Sequence, residues 1–317
     1  MAKALIVGSV ALDTIQTPHG TGERILGGSA SFGSVAASYF TEVSMVGVVG
    51  TDFPGSAVEQ FKARGIDVQG LEMREGRTFH WSGYYEYDMN QAHTNATELN
   101  VFADFSPRLS AEQRKIPYVF LANIHPQLQL DVLEQMESPR LVAIDTMNFW
   151  IEGYKEELTQ VIQRSDFLLM NDGEARQYCE CPNLIECGQR LRALGPSTVA
   201  IKKGEHGALL FHDGGLSFFP SYPVIELKDP TGAGDTFAGA LIGYLARKDD
   251  TGPDNLVRAV QAGTCMASFV VEDFSLTRVA NLGPGELRER VATLRNMVRL
   301  PEPDEEALES RLAPSLS

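Results

Sequence analysis

Short, largely apolar runs recur along the chain at ALIVG, VSMVGVVG, YVFLAN, LVAID, FLLMN, TVAIKK and GALLFH. Runs of this length with no polar face are the pattern of strands buried on both sides. Between them lie stretches whose apolar residues fall at helical spacing: SASFGSVAASYF, GSAVEQFKARG, QLQLDVLEQM, EELTQVIQR and LIECGQRLRAL. Strands alternating with amphipathic helices predict the α/β class, as a doubly wound, mostly parallel sheet flanked by helices.

One segment breaks this rhythm. Residues 77–105, RTFHWSGYYEYDMNQAHTNATELNVFADF, are rich in aromatic and β-branched residues, with turn formers around Asp88 to Gln91. That composition predicts antiparallel strands inserted into the α/β core. Residues 14–26 carry their own Gly/Thr turn and would join them in a small sheet, either a lid or an edge decoration. The aromatic side chains favour a lid, since exposed rings usually cover something. The whole of residues 1–317 then reads as one domain with that insertion. The tail PEPDEEALESRLAPSLS reads as one weak helix and a frayed end.

Charge narrows the classes of partner. The formal charge is −15 and the pI about 4.9. Nucleic-acid binders present basic patches, so no nucleic-acid partner is expected, whereas a small anion held by helix N-termini is allowed. No run reaches the length of a membrane span, and MAKALIVGSVALD lacks the apolar stretch and cleavage site of a signal peptide. The expected location is the cytoplasm, with no membrane partner. Cys179, Cys181, Cys187 and Cys265 lack metal-ligand spacing and a nearby histidine, so they read as reduced, incidental thiols.

The densest chemical signal is KDPTGAGDTFAGALIGYLA, residues 228–246. Phe237, Leu241, Tyr244 and Leu245 share one helical face, and Gly232-Ala233-Gly234 directly precedes it. A glycine-rich turn feeding a helix N-terminus is an anion cradle: side chains do not block the amides, and the helix dipole favours negative charge. Asp235 falls in the first turn. Beside a bound phosphate, a carboxylate has a task if it takes the proton of a hydroxyl attacking that phosphate. The plainer reading is a tight turn with a capping aspartate.

DPTGAGDTFAGALI resembles the C-terminal signature of the ribokinase-like, or PfkB, family of carbohydrate and nucleoside kinases. Gly8-Ser9 with Asp13 resembles that family's N-terminal substrate motif, and Gly27-Gly28 its hinge between lid and core. VGVVGTDFPG with GIDV, Asn171 and Glu174 in N-x-x-E spacing, and Lys202-Lys203-Gly204 resemble further blocks. The resemblance covers nearly the whole chain. It implies a ribokinase-like fold with a β-sheet lid, and transfer of the γ-phosphate of ATP to a hydroxyl of a sugar or sugar-like alcohol, with a nucleoside as the alternative acceptor. It further implies Asp235 as base, with the amides of Gly232, Ala233 and Gly234 on the phosphate. Asp13, Gly27, Gly28 and Phe32 fall at acceptor positions, and Lys202, Gly204, Thr231 and Asn171 at nucleotide positions. Asn171 and Glu174 would order water around Mg²⁺, although on spacing alone they form a helix capping box. Asp145 and Asn148, after another strand, would line the phosphate side. A homodimer through the lid is compatible with the family.

Two departures bear on the substrate. Phe32 stands where the family carries an asparagine that contacts sugar hydroxyls. Phe32, Trp81, Tyr84, Tyr85 and Tyr87 could instead stack a nucleobase, or pack within the lid or a dimer interface. MASFVVEDFSL lacks a glycine associated with monovalent-cation binding, which leaves K⁺ dependence open. GSVALD is no dinucleotide fingerprint; P-loop, HExxH and G-x-S-x-G motifs are absent, and nothing singles out a glycosidase carboxylate pair. The rival from another class is a nucleotide-binding sensor on the same fold, for which Asp235 would have no use.

Overall fold

The computed structural model describes residues 2–299, and the tail at residues 301–317 lies outside the described residues. Among the described residues there are thirteen strands and ten α-helices. The strands are β1 (Ala4–Val7), β2 (Ala11–Thr17), β3 (Gly20–Gly27), β4 (Val43–Gly50), β5 (Ile66–Arg74), β6 (His80–Tyr85), β7 (Ala92–Glu98), β8 (Tyr118–Leu121), β9 (Leu141–Ile144), β10 (Phe167–Asn171), β11 (Thr198–Lys202), β12 (Ala208–His212) and β13 (Gly215–Phe219). The helices are α1 (Ser29–Ser38), α2 (Gly55–Ala63), α3 (Pro126–Gln135), α4 (Asn148–Gly153), α5 (Lys155–Gln163), α6 (Asp172–Cys179), α7 (Leu184–Arg192), α8 (Ala233–Lys248), α9 (Pro253–Val270) and α10 (Glu286–Met297).

Nine strands form one sheet in the order β13-β12-β11-β10-β9-β8-β1-β4-β5. From β5 to β11 every pairing is parallel, and β12 and β13 close that edge antiparallel. Both faces are packed, and neighbouring residues of one strand belong to opposite cores. Ala4 and Ile6 join Phe32, Val35, Leu241 and Phe269 under α1, α8 and α9, while Leu5 and Val7 join Leu158, Val161 and Leu191 under α5 and α7. This is why the strands read as unbroken apolar runs. Among the described residues no helix is long and apolar enough to cross a membrane. The four cysteines are free thiols.

Helices α1 and α8 approach closely because glycines line their contact. A Cβ on Gly239 would overlap the backbone carbonyl of Gly33, and one on Gly243 would lie 2.8 Å from the backbone of Ala37. Since α8 carries the GAGD turn on its N-terminus, this contact sets the height of that turn over the sheet. Gly239→Ala has no flexible neighbour to displace and is expected to cost about 3 kcal/mol of overpacking strain, read as a lower urea midpoint at unchanged slope.

The remaining four strands form a second sheet, β3-β2-β6-β7, in which β2 and β6 are parallel and the outer pairs antiparallel. It draws on both segments expected there, with β2 starting earlier, at Ala11. Asp52, in the loop after β4, fastens it to the core by accepting from Thr78 N and Oγ1 at 2.7 Å and from Arg24 at 2.6 Å. Opposite, the Phe274 ring lies 3.5 Å from a Cβ position at Gly20, and Ser275 Oγ donates to Leu26 O.

Candidate active site

The first turn of α8 lies at the edge where the parallel strands end. Gly232 is the N-cap, in the left-handed region at φ 78°. A Cβ there would also lie 2.5 Å from the Phe32 ring, so both backbone and space demand glycine. The amide of Ala233 is engaged by Pro230 O at 3.2 Å, and Thr231 N donates to Asp229 Oδ1 at 2.9 Å. Among the described residues the amides of Gly232 and Gly234 have no backbone acceptor, and they lie at the positive end of the helix. The Ala233 amide holds the turn through Pro230, and the amides of Gly232 and Gly234 are left without a backbone partner.

Asp235 follows in the same turn. Burial, and then repulsion from Asp145, push its pKa up to about 7, with Lys202 opposing. Lys202, at the end of β11, donates to Asp145 Oδ2 at 2.6 Å, and its ammonium lies 3.1 Å from a Cβ position at Gly234. Its side chain is only 17% exposed, so it is not a solvated strand-end lysine. Burial pulls its pKa down, but Asp145, Glu174 and Asp235 together outweigh that and hold it above the ordinary value. One fixed cation therefore sits among three carboxylates.

Asn171 and Glu174 form the capping box of α6. Asn171 Oδ1 accepts from Glu174 N at 2.8 Å, and Glu174 Oε2 accepts from Asn171 N at 2.7 Å. Burial, opposed by Lys202 and aided by Asp145, pushes the Glu174 carboxyl up to about 7. Its second oxygen stays outside the capping box. Among the described residues no three His, Cys, Asp or Glu side chains make a direct metal cage. A few hard oxygen donors beside an anion cradle do fit Mg²⁺, a cation that keeps its waters and takes further ligands from phosphate.

Facing the cradle, Asp13 sits within β2. The amides of Trp81 and Gly28 face its carboxylate, yet burial dominates and pushes the pKa up to about 7. Asp13 Oδ1 is buried without a protein partner. Gly27 ends β3 and packs its Cα on this carboxylate, leaving no room for a Cβ. Gly28, at φ 91°, caps α1. Ser9 and Ser29 bond each other at 3.1 Å beside it. Gly204 opens the turn after β11 at φ 55°, and a Cβ there would lie 3.7 Å from Asn90 Oδ1, at the tip of the β6–β7 hairpin. The small sheet thus reaches over the cleft.

The aromatic residues divide between the alternatives the sequence leaves open. Phe32 is 2% exposed and lies beneath Gly232 as a strut of the cradle. It faces inward because nearly all of α1 is buried. Tyr84 stacks on His93, with ring centroids 4.9 Å apart, and Tyr87 is 94% exposed. Trp81 lies over Gly83 on the inner face and bonds Thr94 Oγ1. Tyr85 points inward, where its hydroxyl accepts from Thr231 Oγ1 at 3.1 Å.

Sequence reasoning did not single out Asn123, after β8, or Trp150 in α4. Trp150 Nε1 donates to Asn123 Oδ1 at 2.8 Å, while Ser29 Oγ donates to Asn123 O at 3.4 Å. Trp150 fixes the amide oxygen, and among the described residues the NH₂ group of Asn123 has no protein acceptor. Their position at the ends of β8 and β9, the ligand-binding edge of such sheets, was the available signal.

The sequence matches the pfkB family carbohydrate kinases over residues 1–280. It is 29% identical over 254 residues to a cytidine kinase of Thermococcus kodakarensis, covering 78% of this chain and 90% of that protein. It is 26% identical over 294 residues to a nucleoside kinase of Methanocaldococcus jannaschii, covering 86% and 91%. The crystal structure of Methanocaldococcus jannaschii nucleoside kinase, described as an archaeal member of the ribokinase family, superposes with a TM-score of 0.74 at 22% identity, covering 92% of this chain and 99% of that one.

Proposed function

Because the chain belongs to the pfkB family of carbohydrate kinases, we propose that it transfers the γ-phosphate of ATP to a ribosyl hydroxyl of a nucleoside. The transfer half of this reading is carried by one observation: two open amides, those of Gly232 and Gly234, share a helical turn with the Asp235 carboxylate. Asp235 accepts the proton of the attacking hydroxyl. The Gly232 and Gly234 amides take the charge on the transferring group, and such donors are worth about 3 kcal/mol each in other enzymes. Lys202, Gly204, Thr231 and Asn171 border the nucleotide, and Asn171 with Glu174 would hold Mg²⁺ through water, where the ion offsets phosphate charge. Asp13 Oδ1, lacking a protein donor, takes a substrate hydroxyl.

The acceptor half rests on Asn123, with Trp81 on the inner face of the small sheet. A donor held in one orientation by Trp150 suits a base carbonyl or ring nitrogen. The names of the similar cytidine and nucleoside kinases support the same class. The small sheet acts as a lid that excludes water during transfer.

ADP release screened over ribonucleosides, pentoses, hexoses and inositols with Mg-ATP tests this reading. A ribonucleoside should be the best acceptor. Turnover confined to a free sugar would leave the kinase and remove the nucleoside; turnover of nothing in the panel would count against phosphotransfer itself. Asn123→Asp replaces the donor with an acceptor and is expected to raise the KM of the best ribonucleoside at least about tenfold, with a smaller effect on kcat.

A further inference from the structure

Tyr85 belongs to the small sheet and yet meets the phosphate cradle. In the parallel register of β2 and β6, Ile15 pairs with Gly83 and Gln16 with Tyr84. Tyr85 therefore follows the outward-facing Tyr84 and turns to the inner face, where Asp13 and Ile15 are buried. Its hydroxyl receives a hydrogen bond from Thr231 Oγ1, one residue ahead of Gly232, across 146 positions of sequence. Because Thr231 spends its proton on this bond, the phenol keeps its own. Among the described residues no carbonyl or carboxylate accepts that proton. The bond to Thr231 places the ring hydroxyl beside the cradle, and Asp13, Asp229 and Asp235 all act on it electrostatically. Burial first, then those carboxylates, hold the phenol well above its ordinary pKa, so it stays a donor wherever the protein is folded.

We propose that Tyr85 is a further catalytic residue, whose O–H donates a hydrogen bond to an oxygen of the phosphoryl group as it passes from nucleotide to acceptor. The group leaves the α8 turn and arrives at a hydroxyl gripped by Asp13, and the Tyr85 hydroxyl is bonded to the residue before that turn from the sheet face that carries Asp13. Its anionic oxygens are the acceptors the phenol lacks. No bond of Tyr85 is made or broken in the reaction, and the hydroxyl proton still goes to Asp235. With the donor mounted on the small sheet, the phosphoryl group is fully solvated by protein only when that sheet lies over the cleft. This couples closure to chemistry.

The inference rests on the kinase reading, and the experiment keeps the two apart. Tyr85→Phe retains the ring and removes only the hydroxyl. Its kcat with the best acceptor should fall about 100-fold, the loss expected for one such donor, with the KM of ATP and of acceptor within threefold. Binding of ADP with aluminium fluoride and acceptor should weaken by a similar factor, while a nonhydrolysable ATP analogue binds as before, which also reports an intact fold. Thr231→Val frees the phenol without deleting it and should lose less kcat than Tyr85→Phe. ADP formed per phosphorylated product should stay at one in both variants. A kcat within threefold of wild type would overturn the proposal. So would a loss confined to the KM of the acceptor, or a rising ratio of ADP to product, which would make Tyr85 a seal. A wild-type protein that binds ATP but phosphorylates nothing would remove the kinase reading, a result no Tyr85 variant can imitate.

Discussion

Asp235→Asn is expected to lower kcat by about 10² to 10⁴-fold, the usual range for a positioned base, while ATP binding changes little. Asparagine keeps the shape and one acceptor oxygen but takes no proton. In the proposed reaction the nucleotide is held by neighbours of Asp235, the Gly232 and Gly234 amides and Lys202, which the substitution leaves in place. A kcat near wild type with the best acceptor would refute the assignment. The wild-type pH profile carries the same signature. With the Asp235 pKa at about 7, the ionised base is the minor form in acid. The kcat/KM for the acceptor should therefore fall tenfold per unit below about pH 7 and level off above it.

Stability should move the other way. The Asp235 carboxyl lies above its ordinary value of 3.8 in the folded protein, so the native state binds a proton that the unfolded chain has already released. That uptake stabilises the fold as pH falls from about 7 toward 4; above 7 the full cost of the buried charge is present. Removing the charge with Asn should raise the melting temperature at pH 8 and lose that advantage near pH 4. A variant that is inactive yet melts higher would show the carboxylate is kept for chemistry at the expense of the fold.

The central sheet was legible because its strands are apolar on both faces, and the α8 motif because a glycine turn before an amphipathic helix is local in sequence. Strand β5 was not legible: as an edge strand it alternates buried Ile66 with exposed and half-exposed residues, and it contains Gly70. Strand β13, at the other edge, exposes Leu216 and Phe218 and pairs antiparallel, against the run of the sheet. Side-chain direction was the second limit. Composition put five aromatic residues near the acceptor, but helix α1 turns Phe32 into the core, while the β6 register turns Tyr84 outward and Tyr85 inward. Pairs such as Thr231 with Tyr85, and Asn123 with Trp150, join distant segments, and no local pattern announces them.

Lys202→Met tests whether that lysine is part of the electrostatics of the site or only borders the nucleotide. The ammonium is the one charge in the cluster that opposes the upward shift of both Asp235 and Glu174. With methionine, similar in length but neutral, Asp145, Glu174 and Asp235 face one another without a counter-charge. The Asp235 pKa should then move above 7, and the acid limb of the kcat/KM profile should move to higher pH by at least about one unit, since the lost partner is buried. At pH 7 less base is ionised and the phosphate has lost a fixed cation, so kcat/KM should fall by about 10²-fold or more. The fold should weaken as well: breaking a buried pair leaves its carboxylate uncompensated, at about 3 kcal/mol. Protonating the carboxylates offsets that loss, so Lys202→Met should recover stability as pH falls from 8 toward 5. Asp145→Asn should separate the roles, because it removes the residue that aims Lys202 and one repelling charge together. Its profile should move to lower pH, opposite to Lys202→Met. Shifts in the same direction in both variants would mean that the cation does not set the protonation of the base.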